Sequence, residues 1–370
     1  MRVCLVSSAY RPYISGVGEH VYHLAQQLKY LGHEVHILST NYHLDCKEDS
    51  GSLTRLGRGL RIRFAQGEFT LPVAFRLAEN VKSFFRQHDF DVIHCHGIFP
   101  PELAYWAARY TDSPFVITFH AVTPRLPRYI GKTFQRLFHC VVKKNRAKIA
   151  VSHVCKRWAE TFFPGDFYII PNGVDTNKFR PNVPPAVANS TPNILFVGRL
   201  EKRKGLEILL KVLGIVKKEI PDLKLIVVGF GPLEKYYSNL AYKLGLNDCI
   251  NFVGPVTNDQ LAAYYTSATV YVAPTIKPEA MGIVIIEAMS CARPIIASNI
   301  TGYNEIITNG INGILIPPGD YRALAQAIVA VINSKDYQEY LGRNARIRAE
   351  EFDWKRIGKR IEAVYREVLE

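Results

Sequence analysis

Two successive runs of short apolar strands alternating with amphipathic helices constrain what this 370-residue chain can fold into. Residues 2–7 read as a buried strand, and a loop carrying Pro12, Gly16 and Gly18 follows. Residues 19–31 then place Val21, Leu24, Ala25 and Leu28 at helical spacing up to Gly32, and residues 34–38 form a second strand. That is the strand-helix-strand unit of a doubly wound parallel sheet. Strands at 92–94, 115–119, 148–151 and 168–170 continue it, with helices predicted over 73–87 and 101–110. The stretch 180–192, rich in Pro, Ala and Asn, reads as a linker. Beyond it strands are predicted at 194–197, 224–228, 250–253, 270–273, 294–297 and 313–316, and helices over 205–218, 232–244, 258–266, 283–290 and 303–308. The chain therefore reads as α/β, two Rossmann-like domains over 1–180 and 190–352 facing a central cleft at the carboxyl ends of their strands, where such sheets bind ligands.

The net charge of +13 is unevenly placed: residues 1–180 hold 24 Lys and Arg against 14 Asp and Glu, and the remainder 22 against 19. An excess in the first half favours anionic surfaces. The seven cysteines are odd in number and contain no C-x-x-C pair, which speaks against a disulfide framework and a structural zinc site and for a reducing cytoplasm. No apolar run of spanning length occurs, so membrane contact is expected to be peripheral.

Three segments carry candidate chemistry. The loop Ser15-Gly16-Val17-Gly18-Glu19-His20 joins the first strand to the first helix, where backbone amides and a helix N-terminus can meet an anion. Val21 stands where a dinucleotide fingerprint wants its third glycine, so a nicotinamide site is disfavoured, and a tight turn without a ligand remains open. Gly198-Arg199-Leu200-Glu201-Lys202-Arg203-Lys204-Gly205 puts Arg199 and Lys204 at the end of a strand, two cations suited to a diphosphate leaving group, unless they are only a solvated charge run. In the segment from Pro278 to Ala288, Glu279 precedes a helix and Glu287 lies within it; these carboxylates can take sugar hydroxyls and a ribose diol, while amides near Gly282 and Ile283 face phosphate. Paired carboxylates also serve glycoside hydrolysis, but the basic neighbours fit a nucleotide better. His94 and His96 share one face of a strand with Cys95 opposed, which reads as core or cleft lining in preference to a metal site, and Asp89-Phe90-Asp91 reads as surface.

Taken in order, the glycine loop, Thr118-Phe119-His120, Pro171-Asn172-Gly173-Val174-Asp175, the Gly198-to-Gly205 stretch and the Glu279–Glu287 pair resemble glycosyltransferase family 4, the retaining enzymes of the GT-B fold. The resemblance implies a hexosyl group moved from a nucleotide-sugar donor, GDP-mannose or a UDP-hexose, with no further cofactor and no metal. It implies that Arg199 and Lys204 clamp the diphosphate, Glu279 contacts the donor sugar, Glu287 the ribose, and His120 the anomeric centre. The loop Gly16, Val17 and Gly18 would close on the phosphates, Gly282 and Ile283 would offer amides, and Val253 and Val256 would face the base. Front-face substitution would let the departing phosphate oxygen take the acceptor proton, with no protein nucleophile. The terminal helix, 355–370, would cross back to the first domain. Ala280-Met281 and Ala292-Arg293 depart from the commonest family wording.

A basic amphipathic stretch with Arg125, Arg128, Lys132 and Arg136 interleaved with apolar residues suggests an anionic membrane surface and a lipid-linked acceptor at the inner face of the cell membrane, as in the phosphatidylinositol mannosyltransferase type; a plain surface helix is the alternative. A sugar or small-molecule acceptor also fits. No nucleic-acid reader motif is present. The rival functions are a nucleotide-sugar epimerase of the same fold and a nonenzymatic membrane- or partner-binding member.

Overall fold

The computed structural model describes all residues except 13–14, 43–51, 65–66, 74–75, 98–101, 121–144 and 188–190. The chain forms two compact units, Met1–Gly173 with Trp354–Glu370, and Val174–Asp353.

The first unit is built on an eight-stranded sheet: β1 (Arg2–Ser7), β2 (Glu34–Asn41), β3 (Leu53–Phe64), β4 (Gly67–Val73), β5 (Val92–His96), β6 (Phe115–Phe119), β7 (Asn145–Ala150) and β8 (Tyr168–Ile169), in the order β4-β3-β2-β1-β5-β6-β7-β8. All neighbours are parallel except the antiparallel β3–β4 pair. Buried strands such as Val92–His96 are covered on both faces, which is why they read as continuous apolar runs. One core cluster gathers Val6, Ile93, Leu103 and Phe163. The other joins Leu5, Leu24 and Leu28 to Ile357, Ile361 and Tyr365 of the terminal helix Trp354–Leu369. That helix completes this unit's core, and Trp354 lies so close to Gly173 that a Cβ there would come within 2.5 Å of the indole.

The second unit carries β9 (Asn193–Val197), β10 (Lys224–Val228), β11 (Ile250–Gly254), β12 (Val270–Ala273), β13 (Ile295–Ser298) and β14 (Ile314–Ile316), all parallel, in the order β11-β10-β9-β12-β13-β14. Strand order reverses at β1/β5 in one sheet and at β9/β12 in the other, and loops at such switch points diverge to make room for ligands.

Several expectations need correction. The β3–β4 hairpin was not anticipated, although Leu60-Arg61-Ile62-Arg63-Phe64 has the period-two alternation of a strand. It moves the start of the following helix from residue 73 to Leu77. The stretch 303–308 forms turns only, with Ile306 and Ile307 amides both donating to the Tyr303 carbonyl, and the helices Tyr321–Ile332 and Lys335–Glu350 complete the second unit. The chain passes between units at Gly173–Val174, ahead of the proline-rich stretch. Residues 174–187 are tied to the second unit: Ala186 donates to Ala263 O at 3.0 Å, Val187 to Ser267 Oγ at 3.0 Å, and Phe179 packs edge-on against Tyr265.

Ala292, one of the departures from family wording, follows the helix Ile283–Ser290 with φ 53°, in the left-handed region where a side chain costs about 1–2 kcal/mol. Ala292→Gly is therefore expected to raise the second unit's calorimetric unfolding temperature. The gain should be up to about 1 kcal/mol, since glycine's extra unfolded-state entropy offsets part of the relief. An unchanged or lower temperature would refute the strain.

Candidate active site

In the second unit the candidate residues cluster where β9 and β12 end. Gly198 leaves β9, and the turn Lys202–Lys204 leads through Gly205 (φ 74°) into the helix Leu206–Val216. A Cβ on Gly205 would sit 1.9 Å from the Pro274 carbonyl oxygen, so only glycine lets this turn rest against the end of β12. The result is a salt-bridge knot. Lys204 Nζ donates to Glu279 Oε1 at 2.6 Å, and Arg203 Nη1 donates to the same oxygen. Glu201 bridges the two arginines, 2.9 Å from Arg203 Nε and 2.8 Å from Arg199 Nε. Lys204 and Glu279 are each only 13% exposed. Burial works against the Lys204 ammonium, but Tyr303 and Glu279 outweigh it and hold its pKa above the ordinary lysine value.

Glu279 is placed by its backbone. Its amide donates to Thr301 O at 3.1 Å, and Gly302 (φ 102°) approaches so closely that a Cβ would lie 2.2 Å from the Glu279 carbonyl oxygen. Gly282 caps the helix Ile283–Ser290, whose first-turn amides follow it, and Glu287 stands within that helix with Oε2 accepting from Tyr265 Oη at 2.8 Å. The same Tyr265 hydroxyl also lies 3.1 Å from Val284 O, so its single proton is shared between the two acceptors. Val253 is the penultimate residue of β11, before Gly254, and Val256 lies just beyond the strand.

In the first unit the glycine segment is helix and not loop: the helix Gly16–Tyr30 begins earlier than expected, and Ser15 Oγ caps it by accepting from the Gly18 amide at 3.0 Å. Gly16 and Val17 then hold the first-turn amides that intrahelical bonding leaves over. His20, one turn on, meets His96 at the end of β5 and His120 just past β6. His96 Nδ1 lies 3.0 Å from His120 Nε2, and the His20 ring is 4.5 Å from that of His120. His20 Nδ1 donates to Asn172 Oδ1 at 2.9 Å. His94, 4.2 Å ring-to-ring from His96, bonds Tyr365 Oη and Thr118 Oγ1 at 2.6 Å each. Burial holds these imidazoles neutral. It lowers His94 to about 3, helped by His120, and His120 to about 4 against the opposing Asn172 contact. His20 and His96 fall well below the ordinary histidine range, burial being the main cause and neighbouring imidazoles adding to it.

The structure thus brings Arg199, Lys204 and Glu279 together, places Gly282 at the cap of the next helix and Ile283 and Glu287 on it, and, within the first unit, sets His120 beside the glycine helix. Sequence reasoning missed Arg203, Tyr265 and the partners of His120. The signals for His20 and His96 were there: one falls a turn into the first helix, the other at the end of a strand beside the switch point. Arg125, Arg128, Lys132 and Arg136 lie outside the described residues.

Residues 14–178 match Glycosyltransferase Family 4, and residues 182–348 match Glycosyl transferases group 1. The phosphatidyl-myo-inositol mannosyltransferase of Mycobacterium leprae is 32% identical over 95% of this chain and 93% of its own length. Among solved structures, the sucrose-phosphate synthase of Thermosynechococcus elongatus superposes with a TM-score of 0.79 at 23% identity, covering 99% of this chain and 98% of that one. HepE of Anabaena in complex with UDP-glucose also reaches 0.79, at 18% identity over 99% of this chain and 100% of its own. The two parallel-sheet α/β units have the GT-B fold, and the two matching family models define the class as a glycosyltransferase. The chain belongs to glycosyltransferase family 4, and it is a retaining enzyme that moves a hexosyl group from a nucleotide-sugar donor to an acceptor.

Gly302→Ala should push the Glu279 backbone away, because the clash is with a main-chain oxygen that no rotamer change can remove. Transfer is expected to fall at least tenfold in kcat/KM while the fold, read by circular dichroism, is kept. Unchanged kcat/KM would mean that the position of Glu279 does not matter to the reaction.

Proposed function

We propose that this enzyme transfers a mannosyl group from GDP-mannose, chosen over a UDP-hexose, to a lipid-linked acceptor at an anionic membrane surface, and that the switch-point residues of the second unit hold the donor. The observation that carries the site reading is the Lys204–Glu279 contact of 2.6 Å flanked by Arg203 and Arg199. As the bond between the anomeric carbon and the leaving oxygen breaks, negative charge grows on the diphosphate. Arg199 and Lys204 stabilise that charge, and donors placed for it are worth about 3–4 kcal/mol each in comparable sites. Glu279 then accepts hydrogen bonds from the sugar hydroxyls and Glu287, oriented by Tyr265, takes the ribose diol. The amides of Gly282 and Ile283 face the phosphates from one helix start, and those of Gly16 and Val17 from the other, the Gly18 amide being taken up by the Ser15 cap. Val253 and Val256 lie against the base. No metal ion or further cofactor enters this scheme.

His120, neutral because it is desolvated, lines the anomeric carbon as an uncharged hydrogen-bonding group. The acceptor hydroxyl forms its bond to that carbon on the face the phosphate leaves, and its proton passes to the departing phosphate oxygen. Charge and proton are then both balanced without a protein nucleophile, and configuration is retained.

The choice of sugar and acceptor is supported by the relatives named as phosphatidyl-myo-inositol mannosyltransferases at 28–32% identity. The excess of basic residues in positions 1–180, including Arg125, Arg128, Lys132 and Arg136, suits an anionic inner-leaflet surface. No helix among the described residues is long and apolar enough to cross a membrane, so the contact would be peripheral. A nucleotide that binds only the folded state raises its melting temperature by mass action. In a panel of GDP, UDP, ADP and their sugar conjugates, GDP and GDP-mannose are expected to give the largest shifts. A response confined to uridine nucleotides would overturn the donor assignment, and no response to any of them would overturn the site.

A further inference from the structure

The three histidines at the carboxyl end of the first sheet have more in common than lining a site. One ligand nitrogen from each of His20, His96 and His120 lies within 4.8 Å of the others, and the three side chains come from three separate elements. His20 and His96 are 3% and 4% exposed. The Nε2 atom of each is buried and has no hydrogen-bond partner among the described residues. A buried polar nitrogen left unpaired costs about 1–3 kcal/mol, so two in one cluster call for a ligand.

The second sphere is equally particular. The Asn172 carbonyl oxygen accepts from His20 Nδ1 at 2.9 Å, which leaves the proton on Nδ1 and a lone pair on Nε2. An oriented partner on the far ring nitrogen is the usual support of a metal-bound histidine. Neutral imidazoles each keep one proton and one lone pair, so the rings can offer three lone pairs once a bound cation displaces the 3.0 Å hydrogen bond between His96 Nδ1 and His120 Nε2. Three imidazole nitrogens suit a borderline divalent ion of the zinc class, which sits about 2.0–2.1 Å from each. In tetrahedral geometry three such nitrogens would be about 3.3 Å apart, within reach of a cluster whose ligand atoms lie within 4.8 Å of one another.

We infer that His20, His96 and His120 form a three-imidazole site for a zinc-class divalent cation, and that its occupancy withdraws His120 from the transfer reaction and inhibits it. The site is argued from the geometry alone. The inhibition rests on the reading, given above, that His120 lines the anomeric carbon.

The test titrates chelator-treated full-length protein with cobalt(II). The expected result is the intense visible absorption of a tetrahedral centre, saturating at one ion per chain and erased by one equivalent of zinc. His96→Gln should abolish it, Asn172→Ala should weaken cobalt affinity about 10- to 100-fold while keeping the bands, and His153→Gln on the exposed surface should leave it unchanged. Should His96→Gln fail to fold by circular dichroism, His20→Gln supplies the same comparison. A weak spectrum of octahedral type, or bands that survive loss of either histidine, would overturn the site and leave the proposed role of His120 in transfer untouched. Tight cobalt and zinc binding at the cluster with undiminished transfer would instead overturn the inhibition and, with it, the placement of His120 at the reacting carbon.

Discussion

Glu279 with two cations on one oxygen is the interaction around which the second unit's site is arranged. Taking a carboxylate and an ammonium largely out of water costs several kcal/mol per ion, and only close geometry with further hydrogen bonds recovers it. The fold supplies that geometry through main-chain contacts, since Gly205 meets the Pro274 carbonyl and Gly302 the Glu279 carbonyl at distances no Cβ would allow. The charges are thus held by backbone, and flexible side chains do not have to find one another. On the proposed reading this arrangement is suited to exchange: an incoming diphosphate would compete for Lys204 and Arg203, and incoming sugar hydroxyls for Glu279. The same knot that stabilises the ligand-free protein is therefore the one a donor would open.

The first unit solves a different problem with different groups. The carboxyl end of its sheet is lined by imidazoles that burial keeps neutral, whereas the second unit's strand ends carry the charged cluster. The terminal helix Trp354–Leu369 contributes directly to this end, because Trp354 lies 5.0 Å from the His20 ring and Tyr365 bonds His94.

Much of this was legible in the sequence, for physical reasons that can be traced. Parallel strands buried on both faces read as short apolar runs, so Phe115–Phe119 and Lys224–Val228 fall where the pattern puts them. Arg199, Lys204 and Glu279 stand out because they interrupt apolar periodicity after strands and before helices, and Glu287 because it is the one charged residue in an otherwise apolar helix. What stayed hidden depends on three dimensions. Nothing local marks Tyr265 as the partner of Glu287, 22 residues away, or Asn172 as the partner of His20, 152 residues away. The glycine segment was read as loop because two glycines in three residues disfavour helix, but Ser15 capping the Gly18 amide outweighs their propensity. The region 303–308 has helical composition and too little length to nucleate.

The central claim is that Lys204 and Glu279 part company on donor binding, one to the diphosphate and the other to the sugar. It is tested most directly by calorimetric titration of wild-type protein and Glu279→Gln with GDP and with GDP-mannose. Neutralising Glu279 releases Lys204 and Arg203, so GDP should bind the variant at least as tightly as wild type, while the advantage of GDP-mannose over GDP shrinks. If instead Glu279→Gln weakened GDP and GDP-mannose by the same factor, the carboxylate would be serving only to hold the loop, and the division of roles would be wrong.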